Sequence, residues 1–141
     1  MREWVLLHYR VPSVPSARRV YVWRNLKQLG AMLLHDSVWV LPHTAWTYEQ
    51  LQWLAAEVEE LEGEAALWRA QLILPGQEEA LVARFVAASE AEYAPLRDAL
   101  AAAEPDLADV SRRFLQVRRR DYFDCAAGKK IYGILNAARE E

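Results

Sequence analysis

One stretch decides the fold of this 141-residue chain: WVLLHYRV (residues 4–11), PSVPSARRVYVWRNLKQLG (residues 12–30) and AMLLHDSVWVLP (residues 31–42). The first segment is almost continuously apolar, which predicts a central strand buried on both faces. Pro12 and Pro15, in the second segment, end the strand, and Ser16 is a suitable N-cap for a helix that runs to Leu29 and ends at a glycine. The third segment, interrupted by His-Asp-Ser, indicates either two short strands joined by a tight turn or one strand with a bulge.

The first helix is expected to bury one apolar stripe and to expose its cations. Its core-facing spacing is provided by Val22, Trp23, Leu26 and Leu29. No carboxylate lies between Arg10 and the histidine at position 35, so positive charge is concentrated in this part of the chain.

A second helix and a last strand complete the pattern. Thr47 is the expected N-cap, with Gln50 three residues later and Trp46 and Leu51 as a hydrophobic staple. The helix is expected to end at Gly63 and to bury a stripe made of Leu51, Leu54, Ala55, Val58 and Leu61. A strand over residues 65–74 precedes Pro75-Gly76, a strong boundary. The order β-α-β-β-α-β is the ferredoxin-like arrangement.

The remainder of the chain is rich in alanine and predicts three helices. They cover about residues 77–103, with a kink at Pro95, a segment that begins near Pro105, and about residues 124–139. The third helix is expected to bury Ala127, Ile131, Ile134, Leu135 and Ala138. The predicted fold class is therefore α+β: a ferredoxin-like domain (residues 1–75) followed by a helical C-terminal extension (residues 76–141) packed on it.

Composition narrows the classes of protein. The chain is 53% hydrophobic and 26% charged, with a net charge of -3, which is ordinary for a folded domain and argues against a bulk nucleic-acid binder. Its one cysteine cannot form an intramolecular disulfide. There is no signal-peptide pattern and no apolar run of about 20 residues, so we expect a cytoplasmic protein without a membrane partner.

Two basic groups are the candidate binding residues. They comprise Arg10, Arg18, Arg19, Arg24 and Lys27 on the first strand and helix, and Arg118, Arg119 and Arg120 within RRRDYF (residues 118–123). Guanidinium groups bind phosphates and oxyanions in a bidentate manner. The alternative for the first group is a solvated helix face paired with glutamates. For the second it is a helix C-terminus whose cations complement the dipole, with Asp121 pairing locally.

Residues with catalytic chemistry do not form a recognisable set. The three histidines, His8, His35 and His43, lack metal-ligand spacing, and the neighbouring Asp36 and Ser37 lack a nucleophile elbow. Cys125 fits inert packing, and no glycine-rich phosphate loop is present. We therefore expect no enzyme activity, no metal site and no cofactor.

Two segments carry a family resemblance: VWRNLKQLGAMLLHDSVWVLP (residues 22–42) and RRDYF (residues 119–123). Together they resemble the N-terminal domain of the ChrB family of chromate-resistance proteins. More distantly, the first half is similar to the central domain of PaaX-type repressors and to the ferredoxin-like endoribonuclease subunit of CRISPR adaptation. The ChrB resemblance implies a regulatory role, with DNA or an oxyanion such as chromate as partner. ChrB proper carries a second domain, which implies a separately encoded second domain as a further partner.

Three classes of function follow. The first is a ChrB-type regulatory module that binds DNA or an oxyanion through its basic face and dimerises through a sheet edge or apolar helices. The second is a non-catalytic interaction module that uses the tryptophans and the acidic helix over residues 47–62. The third is a metal-dependent nuclease, which we do not expect. The resemblance to the CRISPR subunit implies a metal-binding aspartate at the end of the first strand, where this chain has His8, Tyr9 and Arg10.

Overall fold

A computed structural model describes residues 1–140, which form two compact units, Met1–Pro75 and a second unit that begins at Gly76. The first unit contains β1 (Trp4–Arg10), α1 (Ala17–Leu29), β2 (Met32–His35), β3 (Val38–Pro42), α2 (Ala45–Glu60) and β4 (Glu64–Ala70). The second contains α3 (Gln77–Leu100), α4 (Leu107–Arg118) and α5 (Ala126–Arg139). The predicted α+β class, with its β-α-β-β-α-β order followed by helices, is confirmed.

The sheet of the first unit has the strand order β2-β3-β1-β4, and all neighbouring strands are antiparallel. β1 is central, so Leu7 has Trp39 on one side and Leu67 on the other. Of the two interpretations of residues 31–42, the hairpin is correct, because β2 and β3 pair directly across a tight turn. The turn contains Asp36 at a φ of 43°, a conformation that aspartate tolerates better than most residues.

The core of the first unit consists of aliphatic side chains from both helices and from the sheet. Val22 and Leu26 of α1 are fully buried, as are Leu51 and Val58 of α2. From the strands, Val5, Leu7 and Leu41 are equally inaccessible. Helix α2 packs on β1 and β4, and α1 contacts α2. The solvent-facing sides of both helices carry charged and aromatic residues.

Three predictions about the first unit are wrong in detail. Trp23 is 50% exposed, because it lies about 100° around the helix from Val22. The buried residues of α1 are Val22 and Leu26, and Trp23 lies outside the stripe that they form. The N-cap of α2 is Thr44, whose side chain accepts a hydrogen bond from the Thr47 amide, so Thr47 occupies the third helical position. β4 ends at Ala70 and not at residue 74.

The early end of β4 has a simple cause. Among the described residues, 1–140, the only strand that neighbours β4 is β1, and Ala70 pairs with Trp4, the first residue of β1. Beyond Ala70 no strand remains to accept or donate ladder hydrogen bonds, so the apolar residues 72–74 extend past the sheet. Ile73 and Leu74 are consequently exposed.

The three helices of the second unit share one core. It consists of Tyr93, Leu96, Val110, Phe114, Val117, Cys125, Ile131 and Leu135. Helix α3 includes Pro95 and ends at Leu100, three residues before the predicted end. Helix α4 is capped by the Asp106 side chain, which accepts a hydrogen bond from the Asp109 amide at 3.1 Å. Ile134, predicted to be buried, is 49% exposed.

Within residues 1–140, no helix combines the length and the apolar character that a membrane crossing requires.

Candidate anion-binding surfaces

The cations at the start of the first unit differ in whether a carboxylate neutralises them. The Arg10 guanidinium lies 2.8 Å from the Glu64 carboxylate, and Arg18 lies 3.5 Å from Glu62. Both glutamates lie at or just before the start of β4, beside the end of β1. These two arginines therefore fit the alternative of a solvated surface paired with glutamates.

The side of α1 that faces α2 is likewise joined to acidic residues. The Tyr21 hydroxyl donates a hydrogen bond to Glu57 of α2, and this contact, followed by burial, raises the pKa of Tyr21. Asn25, one turn later, donates to the Tyr21 carbonyl at 2.9 Å. This flank of the helix is thus used for contacts within the unit.

The other cations of α1 lie on its exposed surface and have no carboxylate partners within residues 1–140. Arg19, Arg24 and Lys27 are exposed, and within residues 1–140 none of them forms an ion pair or a hydrogen bond through its side chain. Arg19, Trp23 and Lys27 follow one another at intervals of four residues and form a stripe along the helix. The Lys27 ammonium lies 5.9 Å from the centre of the Trp23 ring. We call Arg19, Trp23, Arg24 and Lys27 the α1 basic surface.

Sequence reasoning placed Trp23 in the core and so missed it as part of this surface. The signal was present in its spacing, because Trp23 is four residues after Arg19 and four before Lys27. A tryptophan among cations on an exposed helix face offers a ring for stacking beside groups that bind phosphate. The surface therefore combines charge with an aromatic face.

A depression of about 390 Å³ lies at the end of β1. It is lined by His8, Tyr9, Arg10, Ser37, Glu64, Ala65 and Ala66. The cation in it, Arg10, is already paired with Glu64, and burial raises the pKa of Tyr9. Within residues 1–140, no three side chains of His, Cys, Asp or Glu are grouped so that they could hold a metal ion.

In the second unit the three consecutive arginines have three different environments. Arg118 lies over the rings of Phe114 and Tyr132, at 5.8 and 5.1 Å. Arg119 is the exposed C-cap residue of α4, whereas Arg120 donates to Glu92 of α3 through its Nε at 2.6 Å. The triplet is thus not a single surface.

Asp121 does not pair with the neighbouring arginines, which corrects the local pairing considered above. It accepts a hydrogen bond from the Tyr93 hydroxyl at 2.9 Å and others from the Cys125 amide at 3.2 Å. Burial, and secondly this hydrogen bond, raise the pKa of Tyr93. The next two residues pack their rings against Phe85. Residues 121–123 therefore anchor the connection between α4 and α5.

Comparison with known proteins gives the chain a family. The family described as "Protein ChrB, N-terminal" matches residues 19–108, a range that includes the whole α1 basic surface. The chain is similar to Protein ChrB of Cupriavidus metallidurans, with 31% identity over 118 residues, which are 83% of this chain and 36% of that relative. The chain thus corresponds to about a third of the relative's length, and no solved structure matches it. The resemblance inferred from residues 22–42 and 119–123 is confirmed: the chain belongs to the ChrB N-terminal family.

Proposed function

We propose that this chain is a regulatory module of chromate resistance that binds DNA through the α1 basic surface and does not act as an enzyme. Membership of the ChrB family supports the link to chromate resistance. The observation that carries the DNA part is that Arg19, Arg24 and Lys27 are exposed on α1 and have no carboxylate partner within residues 1–140.

The extent of the surface favours a polyanion over a small oxyanion. Arg19 and Lys27 are eight residues apart, which is about 12 Å along a helix with a rise of 1.5 Å per residue. One small oxyanion cannot contact both ends of that stripe. A DNA backbone can, because each strand presents one phosphate for about every 3.4 Å of the helix axis.

The charges elsewhere in the chain limit the strength of this interaction. With a net charge of -3, the protein has no long-range attraction for DNA, and only the local surface contributes. Binding that depends on phosphate contacts becomes weaker as salt increases, because condensed counterions are released. We therefore expect measurable binding at low salt and a steep loss as salt is added.

The test is a fluorescence anisotropy titration of a labelled duplex across a series of salt concentrations. Two double variants remove the same charge: R19Q/R24Q takes away partnerless cations, and R10Q/R18Q takes away cations paired with glutamates. Each phosphate contact contributes about 0.9 to the slope of log K against log salt. R19Q/R24Q is therefore expected to lower that slope by up to about 1.8, and R10Q/R18Q to change it by much less.

If the two double variants lower the slope equally, the proposal is contradicted. The loss of two positive charges, wherever they lie, would then explain both results. Absence of binding by the unmodified protein at low salt would contradict the proposal as well. Either result directs attention to the second candidate function.

That second candidate is a protein-interaction module, favoured by the exposure of aromatic side chains on α2. Trp53 is 63% exposed and Tyr48 is 40% exposed, and both line a shallow depression of about 570 Å³ with Ala45, Glu49 and Gln52. On this proposal the chain forms a homodimer through its aromatic surface.

Sedimentation equilibrium of the unmodified protein and of W53A tests this second candidate. Dissociation of a dimer by W53A supports the interaction module, and a monomer at all concentrations refutes the homodimer. Partnership with a separately encoded second domain stays a prediction.

A further inference from the structure

A small cavity in the second unit has a lining that the DNA-binding proposal does not use. Its volume is about 170 Å³, and it is lined by Tyr93, Phe114, Arg118, Asp124, Gly128, Lys129 and Tyr132. This is below the roughly 300–1,000 Å³ of pockets that take drug-sized ligands. An occupant would therefore be a single small ion or a compact metabolite.

The charges of the lining favour an anion. Two cations, Arg118 and Lys129, face one carboxylate, Asp124, so the lining carries net positive charge. Asp124 lies 3.7 Å from the Lys129 ammonium, and both of these side chains are largely exposed. An exposed ion pair of this kind contributes little stability, so an entering anion can compete with Asp124 for Lys129.

Arg118 is the residue that gives the cavity its specificity. Its guanidinium lies over the Phe114 and Tyr132 rings, which stack on each other at 6.3 Å, and it has no carboxylate partner within residues 1–140. Stacking on aromatic faces fixes the plane of a guanidinium and leaves its N–H edge free to donate. Aromatic walls also exclude water, which strengthens a charged hydrogen bond.

Gly128 allows the wall of the cavity to form. A Cβ at this position would lie 2.8 Å from ring atoms of Tyr93, closer than real side chains approach. Only glycine therefore lets the first turn of α5 lie directly against the Tyr93 ring. This close approach keeps Lys129, the next residue, at the rim of the same cavity.

From this arrangement we infer that the cavity between α3, α4 and α5 is a binding site for a small anion, an inorganic oxyanion or a compact carboxylate, held by Arg118 and Lys129. The inference goes beyond the proposed DNA binding, because it concerns a different unit of the chain and different cations. The connection of Asp124 to Lys129 makes Asp124 the competitor that an incoming anion must displace.

The experiment is an NMR titration of the isotope-labelled full chain with sodium sulfate, with separate arms in phosphate and acetate, each against sodium chloride at equal ionic strength. We expect saturable shifts of the amides of residues 114–119 and 125–129. A response to sulfate and phosphate alone assigns the site to oxyanions, and an equal response to acetate assigns it to carboxylates too. No saturable shift with any of the three anions overturns the inference.

Three variants sharpen the result. R118Q is expected to weaken binding about tenfold or more, since a hydrogen bond to a charged group is lost, while R119Q removes the same charge one residue away and is expected to change it less than about twofold. D124N is expected to tighten binding, because it removes the competing carboxylate. The substitution suits the backbone, since Asp124 has a φ of 50° and asparagine accepts that region.

Equal losses in R118Q and R119Q would overturn the site, because they would indicate diffuse attraction to the arginine-rich segment. If R118Q does not fold, D124N alone decides, and unchanged or weaker binding in D124N refutes the inference. R19Q/R24Q is expected to bind the anion as the unmodified protein does, so failure of the DNA proposal and failure of this one are distinguishable.

Discussion

Replacement of Gly63 by alanine is expected to destabilise the first unit strongly. Gly63 lies between α2 and β4, and its amide donates to the Val58 carbonyl at 2.9 Å. A Cβ at this position would collide with the backbone carbonyl oxygen of Arg10 and would lie 2.8 and 2.9 Å from methyl carbons of Val11 and Val58. The carbonyl belongs to the end of the central strand and cannot rotate away, and Val58 is fully buried.

The size of the effect follows from these contacts. Inserting a methyl group into packed surroundings costs about 1–3 kcal/mol, and three close neighbours, one of them backbone, place Gly63 at the upper end. Alanine also reduces the conformational entropy of the unfolded chain, which stabilises the folded state by about 0.4–1 kcal/mol. We expect a net loss of about 2 kcal/mol in the free energy of unfolding. At a urea m-value of about 2 kcal/mol/M, the midpoint would fall by about 1 M.

Tryptophan fluorescence is the appropriate assay, because all six tryptophans lie between residues 4 and 68 and therefore report on the first unit. G133A is the matched control: Gly133 is an exposed position of α5 where a Cβ meets nothing within 4 Å, and alanine favours a helix. Its fluorescence midpoint is expected to stay the same or rise. A G63A midpoint within about 0.2 M of the unmodified protein would refute the packing described here.

Three further predictions concern stability and reactivity. T47V is expected to cost about 2 kcal/mol in urea unfolding, because the buried Thr47 hydroxyl accepts from the Thr44 amide at 2.9 Å and donates to the Pro42 carbonyl at 2.6 Å; a loss below about 0.5 kcal/mol would contradict the capping role. Burial raises the pKa of Cys125 from 9.0 to about 11, and it also raises the pKa of Tyr93. The unfolded chain then releases these protons first, so stability measured by circular dichroism is expected to fall as pH rises from about 9 through about 11, and a constant or rising value would oppose this. Alkylation of Cys125 by iodoacetamide at pH 8, followed by mass spectrometry, is expected to be much slower than in denaturant, since the residue is only 4% exposed; equal rates would contradict this burial.

The sequence predicted the architecture well because its apolar pattern and its breakers agree. The strand over residues 4–11 and the helix that ends at Gly30 are found within one residue of their expected bounds. Gly30 has the positive φ of 78° that a left-handed cap requires. Strand ends and helix caps of this kind can be predicted from a single sequence, because the residues that determine them lie within a few positions of each other.

Errors arose where the cause lies elsewhere in the chain. The end of β4 depends on where its partner β1 begins, more than sixty residues earlier. Helical spacing and apolarity predict that Trp23 is in the core, whereas its exposure is decided by which side of α1 faces α2. Among the candidate residues, only the structure separates the paired Arg10 and Arg18 from the partnerless Arg19 and Arg24, because Glu64 and Glu62 are more than forty residues away in the chain.

The most direct test of the central proposal is a fluorine NMR spectrum of the protein labelled with 5-fluorotryptophan, recorded with and without a short duplex at low salt. Trp23 lies within the α1 basic surface and Trp53 lies on α2, and both are at least half exposed. We predict that the duplex shifts or broadens the Trp23 signal, leaves the Trp53 signal unchanged, and loses its effect in R19Q/R24Q. A duplex that perturbs Trp53 and not Trp23, or perturbs neither, would contradict DNA binding through α1.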